Sequence, residues 1–460
     1  MEKDSSDSDK KHKRYFSAYK PNDLFWGIGI ENETYLEVPN YPKVSGDFFK
    51  NQARERYSVD YYSNYKANYF NCTLNKLIDK EKEYNLPYLI NSHALTLVDL
   101  CGEHITLYTK KGGPNPKYNG KTVFDTLKTH KYFADAYEKS FCFDGDTIEF
   151  MTQNYYKTTI EETIAELLYH KKTFLKNINA LKLPGLENLV YPKENYGFAR
   201  FSTNSKNLAI FNNGTYHFNF TLPTLLDKQG YPVNKKDFDA RHKKAIHILQ
   251  CFEPFFIAYL GTGDILSTTS SKRFPKGSQR CSASRYISVG TYNTKLMTRG
   301  KLLQEERTVL NLPDYHWYNL LYNKIDYVKN DKIGFDINFN KFRNHGIELR
   351  FFEWFPEEKL ESVLRFLVHI LDHSEKKKNF ESVISNIHWN SITFKALYEG
   401  KDGVLSKDEY IWLKKYLQLK IKLNDYSFET IYNELGKHFE MLYGSKGPCG
   451  AFMLSQHYCC

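Results

Sequence analysis

The chain lacks the features that would place it in a membrane or in the class of small, stapled secreted domains. No window approaches the ~20 consecutive apolar residues that a membrane span requires, and the densest, 252–260, is about half that long and contains Glu253 and Pro254. Cysteines stand at Cys72, Cys101, Cys142, Cys251, Cys281, Cys449, Cys459 and Cys460, with no Cys-x-x-Cys pair. Neither a zinc cage nor a disulfide framework is indicated, and reduced thiols in a cytoplasmic protein are the expectation. A prenylation box would need Cys at position 457, which is His457, so residues 444–460 read as a flexible, thiol-bearing tail. Residues 1–20 mix Asp, Ser and Lys without an apolar centre; a disordered, solvated tail is expected there rather than a secretory signal. No internal repeat is visible.

What remains is ordinary globular material with two biases. Hydrophobic residues make up 41% and charged residues 26% of the 460 positions, which argues against wholesale disorder. At ~150 residues per domain the length corresponds to about three domains, although one elaborated α+β catalytic domain can absorb most of it. Aromatics reach 16%; they accompany many Lys, Asn and Ile, residues that share A/T-rich codons, which offers a genomic alternative to a functional origin for part of this bias. The second bias is charge. The net charge is +10, and the segment 265–304 carries Lys272, Arg273, Lys276, Arg280, Arg285, Lys295, Arg299 and Lys301 with no acid, which leaves the rest of the chain at +2. Rich also in Ser, Thr and Gly, this segment reads as a long loop whose cations and hydroxyls could surround phosphate oxygens; charge alone equally suits a solvated loop or a nucleic-acid patch.

Periodicity supplies the elements. Residues 24–38 alternate as a strand does, as do 147–152 and 216–222, and 333–355 reads as two strands joined by a turn at 344–346. In the third of these Phe218, Phe220 and Leu222 take one side while His217, Asn219 and Thr221 form a polar face. Helices are expected over 72–84, over the stretch opened by a Thr158/Glu161 capping box, over 240–260 ending at Gly261, over 360–373, and through 380–443.

The strands carry polar side chains two residues apart, so both members of each pair project from one face. They are Glu31 and Glu33 in Gly29-Ile-Glu-Asn-Glu33, Glu149 in Gly145-Asp-Thr-Ile-Glu-Phe150, His217 and Asn219 in Gly214-Thr-Tyr-His-Phe-Asn219, and Glu348 and Arg350 in Gly346-Ile-Glu-Leu-Arg350. Taken singly each has a bland explanation: a wet strand face, a satisfied histidine, a cross-strand ion pair. Together they would line one sheet with carboxylates, which repel one another unless a cation sits among them, and hard divalent ions such as Mg²⁺ favour such oxygen ligands.

In order, Gly-x-Glu-x-Glu, a Glu strand followed by Thr and a helix, Gly-x-x-His-x-Asn, a basic segment ending in Ser284-Arg-Tyr286, and Glu-x-Arg resemble the glutamine synthetase and glutamate–cysteine ligase superfamily, nearest to its amidoligase branch. Leu249-Gln-Cys-Phe-Glu-Pro254 with Ala258 is similar to the helix that follows the His strand in those enzymes. The likeness runs over 26–372, about three quarters of the chain, and lies in the succession of motifs rather than in any one.

The resemblance implies a curved antiparallel sheet with the site on its concave side and helices on its convex side. It implies a catalytic domain over 21–379 with an insertion at 43–90, followed by a helical extension over 380–443 that has no counterpart. Glu31, Glu33, Glu149, His217 and Glu348 would hold roughly two or three Mg²⁺ ions. Arg280, Arg285 and Arg350 would neutralise the transferring phosphoryl group, with Lys272 and Arg273 also contacting ATP and Asn219 contacting substrate. Asn219 stands where many relatives have a second His, and Asp144 or Asp146 is the candidate for a ligand missing from the second strand. The implied activity is ATP-dependent joining of a carboxylate to an amine on small amino-acid or peptide substrates, with self-association left open. Two other readings use the same residues differently: a guanidino-type phosphotransferase, and a non-catalytic binder of nucleic acid through 265–304. Acids along the sheet would repel nucleic-acid phosphates, which counts against the last.

Overall fold

The computed structural model describes residues 20, 22–49, 79, 81–90, 127, 129–144, 147–183, 186–196, 199–201, 204–209, 214–263, 276–278, 281, 291–292, 294, 336–339, 346–444 and 452. Residues 1–19, most of the 46–71 insertion and of the helix expected over 72–84, most of the 265–304 segment, and 445–460 apart from Phe452 lie outside them.

Six strands form an antiparallel sheet in an α+β fold. They are β1 (Leu24–Thr34), β6 (Phe141–Asp144), β7 (Thr147–Met151), β10 (Gly214–Leu225), β11 (Ile337–Phe339) and β12 (Ile347–Glu353), in the order β11-β12-β10-β1-β7-β6. The five strands expected from the sequence are thus contiguous in this sheet, and the hairpin expected over 333–355 is the β11–β12 pair. A smaller sheet joins β2 (Leu36–Glu37), β5 (Tyr88–Ile90), β8 (Ala199–Phe201) and β9 (Asn204–Ala209). β3 (Val44–Ser45) pairs with β4 (Glu83–Tyr84). Glu83 and Tyr84 are therefore extended, which corrects the end of the helix expected over 72–84; the remainder of that helix lies outside the described residues apart from Asp79, Glu81 and Lys82.

Seven α-helices are described: α1 (Lys131–Ala136), α2 (Ile160–Ala180), α3 (Lys235–Leu260), α4 (Leu360–Lys376), α5 (Ile387–Glu399), α6 (Lys407–Leu417) and α7 (Phe428–Tyr443). One face of the large sheet is apolar, with Ile28, Ile30, Ile148, Phe150, Phe218, Phe220 and Leu349 all buried, and α2 and α3 pack on these strands. Burial of each such side chain stabilises the fold by about 1.5–3 kcal/mol. Phe174 of α2 sits edge-on to Phe141 and Phe150, at centroid distances of 4.7 and 5.2 Å.

The capping box of α2 is shifted by one residue from its expected place. Thr159 accepts from the Glu162 amide (3.1 Å), and the Glu162 carboxylate accepts from the Thr159 amide (2.9 Å). Thr158 is turned inward instead and donates to the Ile28 carbonyl of β1 (3.0 Å). Thr159→Ala is expected to destabilise the protein by about 1 kcal/mol, read as a lower urea midpoint with an unchanged slope.

Pro254 lies inside α3 and cannot donate to the carbonyl of Gln250, one turn earlier. Trp389 of α5 supplies the missing donor, its indole N–H reaching the Gln250 carbonyl at 2.7 Å. The helices of 380–443 pack on α3 and α4 and belong to the same hydrophobic core as the sheet. Among the described residues Cys142, Cys251 and Cys281 stand outside any disulfide, and no helix is long and apolar enough to cross a membrane.

Candidate functional site

The face of the large sheet opposite α2 and α3 brings the predicted polar residues together. Register places Glu31 opposite His217, Glu33 opposite both Thr215 and Glu149, and Asn219 opposite Glu348. Asn338 is the partner of Glu348 on β11, and Cys142 that of Glu149 on β6. Between Tyr216 and Phe218 the pairing of β10 with β12 slips so that β12 carries one extra residue; Arg350 and Phe351 oppose His217 there. Such a bulge re-aims side chains locally. Gly214 opens β10 at φ +127°, and a Cβ there would lie 1.8 Å from the Glu33 carbonyl oxygen. Glycine is needed to bring the His strand this close to Glu33.

This polar face is not a wetted one. His217, Glu348, Asn219 and Thr215 are 1%, 1%, 3% and 6% exposed, whereas an ordinary amphipathic strand would leave them in water. Glu31, His217 and Glu348 each offer a ligand atom within 4.8 Å of the other two. The His217 Nδ1 lies 3.3 Å from Glu31 and 4.0 Å from Glu348. Its Nε2 is 3.2 Å from the Thr215 hydroxyl and 3.7 Å from Glu33. The Asn338 amide donates to Glu348 Oε2 (2.7 Å), and Arg350 Nη1 donates to Glu348 Oε1 (2.9 Å). Burial opposes the charge on Arg350, but Glu348, Glu33 and Glu31 outweigh it and hold the guanidinium above its usual range.

The donor set fits a hard divalent cation: carboxylate oxygens from two strands and one imidazole nitrogen, with a buried carbonyl oxygen beside them. That oxygen is Asn219 Oδ1, which makes no hydrogen bond among the described residues. The strands are braced from behind. Asn32, between the two glutamates of β1 but on the opposite face, donates to the Thr215 carbonyl (3.0 Å) and accepts from Lys171 (2.8 Å). Lys171 is buried and pairs with Glu357; burial lowers its affinity for its proton, and Glu357 opposes that shift.

Of the predicted site residues, Glu31, Glu33, His217, Asn219, Glu348 and Arg350 share this centre. Glu149 lies on the same face two strands from His217, where its carboxylate accepts from the Cys142 thiol (3.4 Å). Asp144 falls on β6 opposite Thr147. Lys272, Arg273, Arg280, Arg285 and Asp146 lie outside the described residues. Of the described parts of the basic segment, Ser278 Oγ donates to Glu353 (2.7 Å) and Cys281 to the Phe351 carbonyl (3.1 Å) of β12, whereas Thr291 and Tyr292 accept from Gln250 of α3. Sequence reasoning missed Thr215, Asn338 and Cys142. Thr215 was within reach, since it sits two residues before His217 on the same face; Asn338 and Cys142 needed the strand pairing.

No family model matches the chain. Over 448 residues it is 40% identical to Uncharacterized protein R704 of Acanthamoeba polyphaga mimivirus, a match that covers 96% of this chain and 79% of the mimivirus protein. So much of the chain is matched that the helices of 380–443 are part of what the two proteins share. By that extent and identity, the chain belongs to the same family as the mimivirus protein.

Proposed function

We propose that the protein is an ATP- and Mg²⁺-dependent carboxylate–amine ligase with a glutamine synthetase-like catalytic domain, the large sheet forming its curved floor. The observation that carries this reading is the convergence of Glu31, His217 and Glu348 from three adjacent strands to within 4.8 Å, with Arg350 on the same face. Acids gathered in a buried place are costly unless a cation is meant to join them.

Amide formation from a free carboxylate is blocked by its poor leaving group. In the proposed reaction the carboxylate takes the γ-phosphoryl group of ATP to give an acyl phosphate and ADP; an amine then attacks the acyl carbon and expels phosphate, giving up a proton. Glu31, His217 and Glu348 would hold Mg²⁺, with Glu33 and Glu149 flanking them, and bound Mg²⁺ supplies charge neutralisation at the phosphates. Arg350 adds a fixed positive charge on the same face. Burial of His217, Glu348 and Asn219 keeps bulk water from the centre, which strengthens each of these contacts and protects the acyl phosphate from hydrolysis. Arg280, Arg285, Lys272 and Arg273 complete the phosphate contacts in this proposal. A glutamate-like donor or a peptide is the proposed substrate, in a reducing cytoplasmic setting.

The test is incubation with Mg²⁺-ATP and a mixed pool of amino acids and peptides, followed by mass spectrometry. Condensed products are expected, with ADP release that needs both a carboxylate and an amine. Release with a single phosphorylated product would favour a phosphotransferase. Salt-steep nucleic-acid binding without ATP use would overturn catalysis altogether.

A further inference from the structure

Thr215 sits between two groups of the proposed cation site, Glu33 and His217. Its hydroxyl is 2.9 Å from Glu33 Oε2, to which it donates, and 3.2 Å from His217 Nε2. A threonine hydroxyl has one proton. An ionised carboxylate only accepts, so that proton is committed to Glu33, and toward His217 the oxygen can only accept. The ring must then carry its proton on Nε2. In the neutral ring Nδ1 then keeps its lone pair, which lies in the interval between Glu31 (3.3 Å) and Glu348 (4.0 Å). The backbone of Thr215 is held independently, because its carbonyl accepts from Asn32, whose side chain is in turn held by buried Lys171.

The geometry points to Thr215 as a positioning residue that, with Glu33 behind it, holds His217 in the Nε2-protonated form and turns Nδ1 toward Glu31 and Glu348. This rests on the cation-site reading above only for its consequence, since the protonation state of the ring can be read without metal. A histidine ligand whose far nitrogen is fixed by a carboxylate, directly or through one intervening group, binds metal in a single orientation, and loss of such outer partners typically weakens metal binding about 10- to 100-fold.

The experiment uses the full chain, wild type, Thr215→Val and Thr215→Ser, labelled with ¹⁵N in histidine. Long-range ¹H–¹⁵N correlation of His217 in metal-free protein is expected to show the Nε2–H tautomer in wild type and Thr215→Ser, and a mixture of tautomers in Thr215→Val. Titration with Mn²⁺, followed by its paramagnetic resonance, is expected to give at least about tenfold weaker binding for Thr215→Val and near-wild-type binding for Thr215→Ser. An Nδ1–H tautomer in wild type, or a Thr215→Val variant with wild-type tautomer, overturns the inference. The expected tautomers with no Mn²⁺ binding to wild type would sustain the positioning role of Thr215 and overturn the cation site instead.

Discussion

Glu348→Gln is expected to lower ATP turnover that depends on both carboxylate and amine by about 10²- to 10³-fold, a loss of ~3–4 kcal/mol of transition-state stabilisation. The change removes one negative charge from a carboxylate that is 1% exposed and contacts both Asn338 and Arg350. The amide keeps the shape and one acceptor oxygen, so the protein should still fold; a circular-dichroism melt within a few degrees of wild type separates lost chemistry from lost structure. Turnover within threefold of wild type in a folded variant would remove Glu348 from the machinery and, with it, the argument that the three converging ligands serve a reaction.

Acid is expected to destabilise the protein from about pH 6.5 downward, beginning above the range in which its carboxylates titrate. His373 is buried with both nitrogens engaged: Nε2–H donates to the Leu417 carbonyl (2.9 Å), and Nδ1 accepts from Tyr443 (2.7 Å). His242 is fully buried; it donates from Nδ1 to the Phe238 carbonyl (2.8 Å) and accepts at Nε2 from the Leu222 amide (3.1 Å). A second proton on His242 would set a donor against the Leu222 amide donor, and one on His373 would force the Tyr443 hydroxyl to turn from donor to acceptor. Burial accordingly lowers His373 to about 4 and His242 to about 3 from an ordinary 6.5. Because the folded values are depressed, the unfolded chain binds more protons between those values and 6.5. The stability these rings contribute is complete above pH 6.5 and declines as the pH falls toward 4. Each loses ~1.4 kcal/mol per pH unit in that window, so two units remove roughly 5 kcal/mol, comparable with the lower range of a domain's whole stability. Urea midpoints at pH 7 and 4.5 would show this, and His373→Asn should flatten the slope by about one proton. Midpoints that stay level across the interval would contradict it.

Much of the site was legible in the sequence because a strand's period of two is so rigid. Once Glu31 and Glu33, His217 and Asn219, and Glu348 and Arg350 are each two residues apart, their faces follow without any knowledge of partners. Which strands adjoin was not legible, yet the antiparallel order aligns Glu31 with His217 and Asn219 with Glu348. The extra residue in β12 opposite His217 leaves no sign in composition, because a bulge is defined only against its neighbour. The capping shift from Thr158 to Thr159 has a similar origin: two adjacent threonines each precede a glutamate by three residues, and only the contact of Thr158 with β1 decides between them. Burial of the polar face was also beyond reach, since alternation looks the same whether a face meets water or other protein.

The bond from Trp389 to the Gln250 carbonyl has a consequence for how this chain can be divided. A proline toward the C-terminal end of the long helix behind the sheet is tolerable because Trp389, 139 positions beyond Gln250, closes the gap it leaves. The helical portion beyond 380 is therefore not an accessory joined to a self-sufficient fold. A shortened version ending at 379 would carry an unsealed break in its central support, so recombination or engineering that treats the two parts as interchangeable cassettes should yield chains that fail to assemble.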